Sequence, residues 1–346
     1  MKATRAFVLL GLLMLAGCAR APVPGVTELT YATPYSPNHP FSRADRDWMD
    51  FVEQRSGGRL KIRPSWSGAL LSSEHSMIEL RHDVADIGLI TPIYVKGGVH
   101  LIRIQSGFYS GARTVENQVA LYHCMAAAHP QFDAELAGLK VLAVQGGPLP
   151  GILTRERTIH GLADLRGLRI RVPTELLGVM KDLGADPVNM PMGEVYSALA
   201  KGVIDGVIAP GDTFRSLHFA EVAKHFTTLD VPRGAYPARA MSATRWARLA
   251  PADQAVLAEG VAVWESALAR QTRKALEQGF ALAREQRVQI LGIDPAEQQT
   301  FDALYLRDAE RNAHSLERFG IDGPAVFRTA RASLATDGTV ACAGGA

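Results

Sequence analysis

The sequence predicts an α/β protein with two domains, built from mixed, mainly parallel sheets covered by helices. The chain has 346 residues, and a single hydrophobic core rarely grows past about 250 to 300 residues. From residue 29 onward, short apolar strand-like segments alternate with helical ones, which is typical of a mainly parallel sheet. Residues 251–290 are almost uninterrupted helix formers. A straight helix of that length would be about 60 Å long, so we expect it to run across both domains.

The composition is that of an ordinary globular protein, with 47% hydrophobic and 21% charged residues. Lys2 and Arg5 lie in a segment that we expect to be removed, which leaves 35 of the 37 cations against 35 anions. Nucleic acid is therefore not an expected partner. The sequence lacks the G-x-S-x-G, H-E-x-x-H, phosphate-loop and G-x-G-x-x-G motifs. We expect a protein that is not an enzyme and needs no cofactor; an extracytoplasmic hydrolase is the least favoured alternative.

The N-terminus has the organisation of an export signal. Two cations precede an apolar run at residues 6–16, and small residues follow it. A helix of that length is about 16 Å long, too short for a hydrocarbon core of roughly 30 Å. The sequence L-A-G-C at 15–18 resembles the lipobox of bacterial lipoproteins, although an ordinary signal with an incidental cysteine is the alternative. We expect a signal peptide at 1–17, then a lipidated Cys18 and linker at 18–26.

This reading places the mature protein in the periplasm or elsewhere outside the cytoplasm, with a lipid anchor to a membrane. The sequence does not indicate which membrane holds the anchor.

In the first half of the chain, the expected elements follow in the order strand, helix, strand, helix, strand. Strands are expected where apolar residues alternate or cluster between turn signals, and helices where they recur every three to four positions. Ser56-Gly57-Gly58 supplies the left-handed residues that end the first helix. The expected elements are a strand at 29–33, a helix at 41–55, a strand from 60, a helix at 73–82 and a strand at 86–90.

The second half repeats the alternation and ends in the long helix. The expected elements are strands at 139–144 and 168–172, helices at 174–183 and 193–201, a strand at 203–209, and strand-like segments at 226–231 and 238–242.

Two cysteines, Cys124 and Cys342, remain after the signal. An oxidising compartment allows them to form a disulfide. Cys124 also lies in an apolar helical pattern at 119–125, where a buried free thiol is common. The sequence leaves both alternatives open.

The strand at 168–172 gives the clearest indication of a binding site. Period-two alternation places Arg169 and Arg171 on the face opposite to the apolar residues. Pro173 cannot continue the strand pairing, so Arg171 lies at the carboxyl end, which borders the ligand crevice in open α/β sheets. A guanidinium is permanently charged and matches the geometry of a carboxylate. The pattern favours an anchor for an organic acid; the alternative is that both arginines are solvated or pair with acids on helices.

The sequence around this strand resembles the substrate-binding subunits (DctP-like) of tripartite ATP-independent periplasmic (TRAP) transporters. The signature stretch of that family is similar to D-L-R-G-L-R-I-R-V-P at 164–173. The resemblance continues through L-G-A-D-P at 183–187, M-P-M-G-E-V-Y-S-A-L at 190–199 and G-V-I-D-G at 202–206. With weaker matches upstream and downstream, it covers nearly the whole mature chain in order.

The resemblance implies a two-lobed periplasmic-binding-protein fold that closes around a small organic acid and delivers it to TRAP membrane subunits. The helix at about 251–290 would span both lobes. The lobes are expected at 27–146 with 233–260 (lobe I) and 147–232 with 261–335 (lobe II). A competing hypothesis keeps this fold but makes the protein a ligand sensor for a membrane signalling receptor. Whether the protein is a monomer or a dimer, and whether a metal assists binding, stay open.

The resemblance also implies the roles of site residues. The family's arginine that binds the ligand carboxylate falls on Arg171. Many members have a second arginine where alignment on Thr154 puts Gly151, and an asparagine where this sequence has Ala209. With those two polar contacts missing, a dicarboxylate would keep unpaired buried groups, each costing roughly 1 to 3 kcal/mol. We therefore expect a monocarboxylate with an apolar or aromatic body.

Other candidates for the walls of the site lie at strand ends or in loops. Core packing or a helix cap explains each of them equally well, so they are weaker candidates than Arg171. They are Trp66, Tyr94, Tyr109, Met190, Asp212, Phe214 and Tyr236.

Overall fold

The computed structural model describes residues 24–95 and 97–343. The expected signal peptide, the lipidated Cys18 and most of the linker lie outside the described residues. The strands of the described part are β1 (Thr27–Ala32), β2 (Leu60–Ser65), β3 (Ile87–Leu89), β4 (Leu139–Gln145), β5 (Gly151–Thr154), β6 (Arg169–Arg171), β7 (Asp186–Val188), β8 (Gly206–Ala209), β9 (His225–Thr228), β10 (Tyr236–Ser242) and β11 (Gln289–Gly292).

The helices cover the faces of the two sheets that these strands form. Within the described residues, none is both long enough and apolar enough to span a bilayer. The α-helices are α1 (Pro40–Arg55), α2 (Ser76–Arg81), α3 (Leu101–Ile104), α4 (Val115–Ala128), α5 (Gln131–Glu135), α6 (Leu177–Asp182), α7 (Met192–Ala200), α8 (Thr213–Ser216), α9 (Ala243–Ala247), α10 (Pro251–Glu285), α11 (Pro295–His314) and α12 (Gly323–Ala332).

The first sheet has five strands in the order β2-β1-β3-β10-β4. β1 runs parallel to both β2 and β3, whereas β10 is antiparallel to β3 and β4. Because β10 comes from much later in the chain than its neighbours, lobe I is completed only after the chain has passed through lobe II.

The second sheet has six strands in the order β11-β9-β5-β8-β6-β7. The pairs β11–β9, β8–β6 and β6–β7 are parallel, and β5 is antiparallel to β8 and β9. Each sheet carries its own buried core, with two clusters on the second sheet. The two-lobed α/β fold with mixed, mainly parallel sheets is thereby confirmed.

The long helix α10 packs on both lobes, as expected. Trp264 and Leu268 lie in the core of the first sheet, and Ala283 lies in a core cluster of the second. Its two glycines allow close approach of neighbouring backbone and rings. A Cβ at Gly260 would lie 2.6 Å from Trp48 Nε1, and one at Gly279 would collide with the carbonyl of the 211 loop.

The C-terminal part of the chain departs from the expected lobe assignment. We expected residues 261–335 in lobe II, and Phe301 and Tyr305 of α11 do pack in a core of the second sheet. Ala313 at the end of the same helix and Val326 of α12 instead pack in the core of the first sheet. The apolar face of α11 thus changes partner along its length, and α12 lies on α4 of lobe I.

Several expected elements are shorter than the sequence pattern suggests; the long helix α10, for example, ends at Glu285 rather than at about residue 290. The helix expected at 174–183 begins with a 3₁₀ turn, Thr174–Leu176, before α6. The strand expected from residue 203 begins only at Gly206, because Val203 lies in a turn and is 53% exposed.

A disulfide between Cys124 and Cys342 joins α4 to the segment that follows α12. The two Cα atoms are 5.0 Å apart, which is within the usual range for a disulfide. Of the two alternatives that the sequence leaves open, the structure has the bonded one. It ties the end of the described chain to lobe I.

Replacing Cys342 by Ser is expected to lower the free energy of unfolding by about 2 to 4 kcal/mol, because the unfolded chain loses a cross-link that closes a long loop. Urea unfolding without reductant measures this. The control is wild-type protein treated with reductant, which should show the same loss. Equal stability of the oxidised and reduced wild type would contradict the prediction.

Candidate ligand-binding cleft

Arg171 is the last residue of β6, in the second sheet. It pairs with Val188 of β7 on one side and Val207 of β8 on the other, and Pro173 follows the strand. Its side chain lies at the carboxyl end of the strand, facing lobe I, and the residue is only 4% exposed. The strand thus delivers a guanidinium into the space between the lobes.

The guanidinium is held by neutral partners. Arg171 Nε donates to the Met190 carbonyl oxygen at 3.0 Å, and Nη2 donates to the hydroxyl oxygen of Tyr94 at 3.0 Å. Among the described residues, no carboxylate lies within ion-pair distance of Arg171, and no hydrogen bond engages Nη1. A buried cation without a counter-ion is costly, so the site favours an anion beside Arg171.

A cavity of about 100 Å³ lies at the Arg171 side chain, and we call it the inner chamber. Both lobes contribute to its walls, which are largely aromatic and aliphatic with a few polar groups. The residues used below are Tyr35, Tyr94, Arg171, Glu175, Ile208, Pro210, Arg233 and Tyr236.

A wider space of about 560 Å³, the outer cleft, continues from the inner chamber toward the surface between the lobes. Tyr35, Tyr94 and Met192 line both spaces. These three side chains therefore stand between the inner chamber and the outer cleft, and a solute would pass them on its way to Arg171.

Tyr236 is oriented by a buried polar chain. The amide of Gln145 accepts a hydrogen bond from Arg239 Nη1 at 3.3 Å and donates from Nε2 to the Tyr236 hydroxyl oxygen at 2.8 Å. Arg239 in turn forms a buried ion pair with Asp45, with Nε and Oδ1 2.7 Å apart. Because the Tyr236 oxygen already accepts from Gln145, its own O–H can donate into the chamber.

Burial raises the pKa of Tyr236 to about 12, so its hydroxyl stays protonated at neutral pH. The Tyr94 oxygen likewise accepts from Arg171, which leaves its O–H free to donate. The polar groups around Arg171 are thus arranged as donors, which suits a ligand rich in acceptors.

The sequence patterns did not single out Arg233 and Glu175. Arg233 lies in the chain segment that returns from lobe II to lobe I, and Glu175 lies in the 3₁₀ turn after Arg171. Arg233 stands alone between a proline and a glycine, so no periodic pattern indicates it. Glu175 has the position of an ordinary acidic residue in the first turn of a helix. Only the fold brings both into the chamber.

Asp212 is 5% exposed and lies near Arg233 but is not part of the chamber lining. Its Oδ2 accepts from Ser216 Oγ at 3.2 Å, and its Oδ1 is buried without a partner among the described residues. Burial raises the pKa of Asp212 to about 6, and the charge of Arg233 opposes that rise.

The structure brings three of the sequence candidates together on the chamber: Arg171, Tyr94 and Tyr236. Met190 contributes its carbonyl oxygen to Arg171. Asp212 does not contact the chamber directly.

Of three further aromatic candidates, two lie in the cores and the third is half-buried beside one. Tyr109 is fully buried and its hydroxyl donates to Gln105 and to the Ala235 carbonyl oxygen. Phe214 is fully buried against Phe226. Trp66 packs edge-on against Tyr31 of the first core. For Tyr109 and Phe214 the structure decides in favour of core packing and against the cleft, whereas Trp66 is half-buried and does not line the chamber.

Gly151 and Ala209, where the family's other polar contacts were expected, lie opposite each other on β5 and β8. Neither lines the chamber; Ile208, the neighbour of Ala209, does. A Cβ at Gly151 would lie 2.5 Å from the Phe226 ring and 2.6 Å from the Thr227 carbonyl oxygen. No side chain fits at residue 151, so a second arginine cannot come from that position.

Another cavity, of about 380 Å³, lies between α10 and the two segments that connect the lobes. It is larger than the inner chamber, but its arginines are paired. Arg113 lies 3.2 Å from Asp230, and Arg273 lies 3.2 Å from Glu116. These two arginines are therefore less available to an anionic solute than the unpaired Arg171 is.

Comparison with known proteins finds a family match over most of the chain. The model of the family "bacterial extracellular solute-binding protein, family 7" (DctP) matches residues 31–311. Among curated proteins, a solute-binding protein of Albidiferax ferrireducens is 27% identical over 194 residues, 54% of this chain and 55% of that protein. The 2,3-diketo-L-gulonate-binding periplasmic protein YiaO of Escherichia coli is 26% identical over 197 residues, 52% of this chain and 56% of that protein. The chain spans about half the length of these relatives.

Solved structures share the fold over most of the chain. A TRAP solute-binding protein from Rhodoferax ferrireducens, in complex with copurified benzoate, is 24% identical with a TM-score of 0.81, covering 89% of this chain and 97% of that one. A TRAP periplasmic solute-binding protein from Bordetella bronchiseptica with bound (R)- and (S)-mandelate is 21% identical with a TM-score of 0.78, covering 88% and 98%.

Replacing Asp212 by Asn is expected to stabilise the protein at pH 8 but not at pH 4. The folded state holds the Asp212 proton more tightly than the unfolded chain does, because its pKa is raised to about 6. The free energy of unfolding of the wild type therefore falls as the pH rises from about 4 to about 6. Above pH 6 it is lower by on the order of 2 to 3 kcal/mol. Asparagine keeps the Ser216 hydrogen bond and never ionises.

Unfolding midpoints at pH 4, 6 and 8 measure this effect. The matched control is Asp50→Asn, at an exposed position on α1, which should follow the wild-type profile. Parallel pH profiles for Asp212→Asn and wild type would contradict the prediction.

Proposed function

The chain belongs to bacterial extracellular solute-binding protein family 7, and we propose that it captures a small organic acid outside the cytoplasm by closing its two lobes around the inner chamber. The observation that carries this proposal is Arg171. Its guanidinium is buried between the lobes, is positioned by a carbonyl and a hydroxyl, and has no carboxylate partner among the described residues. A ligand carboxylate would supply the missing counter-ion through a charge-assisted hydrogen bond to Nη1.

The walls of the chamber favour a monocarboxylate with an apolar or aromatic body. Ile208, Pro210 and Tyr35 add apolar and ring surface to the lining that contains Arg171. Benzoate and mandelate, found in two proteins of similar fold, are aromatic monocarboxylates, which supports this class of solute.

Binding and closure are coupled because the polar groups come from both lobes. Tyr94 and Tyr236 belong to the first lobe, and Arg171 belongs to the second. A carboxylate that contacts all three stabilises the closed arrangement over the open one, which shifts the population toward closure. The direct bond between Tyr94 and Arg171 already joins the lobes and would be shared with the ligand.

The closed protein would then deliver its solute to the TRAP membrane subunits. A lipid at Cys18 would keep the protein at the membrane surface, where it meets those subunits. The protein would thus act as a solute carrier that is tethered to the membrane.

Truncating Arg171 is expected to abolish stabilisation by organic acids. Arg171→Ala leaves the ligand carboxylate buried and unpaired, at a cost of about 2 to 5 kcal/mol of binding free energy. A thermal-shift panel of benzoate, mandelate, phenylacetate, butyrate and succinate measures this, since an acid at a hundred times its Kd adds roughly 2.7 kcal/mol to the wild-type stability.

The matched control is Arg169→Ala, two residues earlier on β6, whose side chain is exposed and pairs with Asp186 at 2.7 Å. It should respond to acids like wild type. Equal shifts for Arg171→Ala and wild type would remove Arg171 from the site, and no shift of the wild type with any acid would overturn the proposed function.

Removing the Tyr236 hydroxyl is expected to weaken binding about ten- to a hundredfold, because a hydrogen bond to a charged group contributes about 1.5 to 3 kcal/mol. Calorimetric titration of Tyr236→Phe with the best acid of the panel measures the change in Kd. Tyr122→Phe, a hydroxyl removal in the first-lobe core, is the control. An unchanged Kd for Tyr236→Phe would show that its hydroxyl does not face the solute.

A further inference from the structure

We propose that Arg233 and Glu175 set the charge selectivity of the inner chamber, with Arg233 as a second guanidinium contact for the ligand carboxylate and Glu175 as the group that disfavours dianions. The inference rests on the proposed function of the chamber as an organic-acid site. The sequence resemblance does not mark either residue. Arg233 would supply the second cation that many family members have at the position of Gly151.

Arg233 lines the chamber on the segment between β9 and β10 that connects the lobes. Its recorded hydrogen bond is a long one, from Nη1 to the Pro148 carbonyl oxygen at 3.4 Å. No carboxylate of the described residues lies within ion-pair distance of it. Two guanidiniums, those of Arg171 and Arg233, therefore share one small chamber without a counter-ion in contact.

The position of Arg233 depends on Gly147, in the other segment that connects the lobes. A Cβ at residue 147 would lie 2.7 Å from Arg233 Nη1 and 2.8 Å from its Nε, and all three of the nearest atoms belong to the Arg233 guanidinium. Gly147 thus leaves the space that this guanidinium occupies. Ala at residue 147 would displace the charge without removing it.

Glu175 is the carboxyl group of the chamber lining. Its Oε2 is buried and has no hydrogen-bond partner among the described residues. Burial raises the pKa of Glu175, and the charges of Arg171, Arg233 and Arg103 oppose that rise. In its ionised form this carboxylate offsets part of the positive charge that the two chamber arginines supply, so that the charge balance below applies to that form.

The charges in the lining explain why one carboxylate is preferred to two. Arg171 and Arg233 together exceed Glu175 by one positive charge, which a monoanion neutralises. A second carboxylate on the solute would face Glu175, and two like charges at close range in a partly dried space repel strongly. Asp212, outside the lining, adds further negative charge near Arg233 at neutral pH and acts in the same direction.

Calorimetric titration at pH 7.5 with benzoate and with phthalate tests the proposal in the wild type and six variants. Arg233→Ala is expected to weaken benzoate binding at least tenfold. Gly147→Ala should give a similar loss, since it displaces the same guanidinium. Gly292→Ala, whose nearest contact would be an ordinary 3.8 Å from Thr228 Oγ1, is its control.

Glu175→Gln is expected to raise the ratio of phthalate to benzoate affinity at least tenfold over wild type, because it adds one net positive charge to the chamber. Glu156→Gln, at an exposed side chain, is the matched control and should leave the ratio unchanged.

The possible results distinguish a failure of the roles of Arg233 and Glu175 from a failure of the proposed function. If Arg171→Ala loses benzoate binding while Arg233→Ala and Gly147→Ala bind like wild type, the role of Arg233 is overturned and the proposed function stands. An unchanged phthalate-to-benzoate ratio in Glu175→Gln overturns the role of Glu175. If the wild type binds neither these acids nor any acid of the thermal-shift panel, the proposed function and this inference are both overturned.

Discussion

The organisation of this molecule depends on one buried cation. Arg171 is almost completely removed from solvent, yet its partners are a backbone carbonyl oxygen and a tyrosine hydroxyl rather than a carboxylate. Such an arrangement lowers the stability of the protein relative to a paired or solvated arginine. The cost is tolerable because strand pairing on both sides of β6 fixes the backbone that carries it. In the proposed function, an anion beside Arg171 would recover this cost as binding energy.

A buried hydrogen-bond network behind the chamber fixes the orientation of Tyr236. Asp45 receives hydrogen bonds from Arg239, Trp264 and Tyr31, which belong to three different elements of lobe I. Through Gln145, the same network reaches the hydroxyl of Tyr236. The polar groups of the network satisfy one another, so the orientation of Tyr236 does not depend on the solute. Lobe I therefore presents a preformed donor, and lobe II presents the preformed cation.

The segments that connect the lobes also contribute a charged side chain, Arg233, to the chamber. Two segments cross near Gly147 and Arg233, and the helices α10 and α11 both change lobes along their length. Gly147 and Arg233 are in contact across the two crossing segments, so the hinge region itself contributes charge to the chamber. In the proposed closure, a solute that engages Arg233 would contact a segment that connects the lobes.

The sequence by itself determined the fold class, most of the strands and helices, and the position of Arg171 at the carboxyl end of a strand, because alternation, a strand-ending proline and the family motif are local features. It could not determine on which side of the sheet residues 151 and 209 lie, since a shift of one position reverses the face of a strand. Nor could it show that Tyr109 and Phe214 pack in cores, or that Glu175 and Arg233, far apart along the chain, line the same chamber as Arg171. Those relations depend on how two sheets, joined by two crossing segments and two shared helices, are placed against each other, and only the tertiary structure decides that.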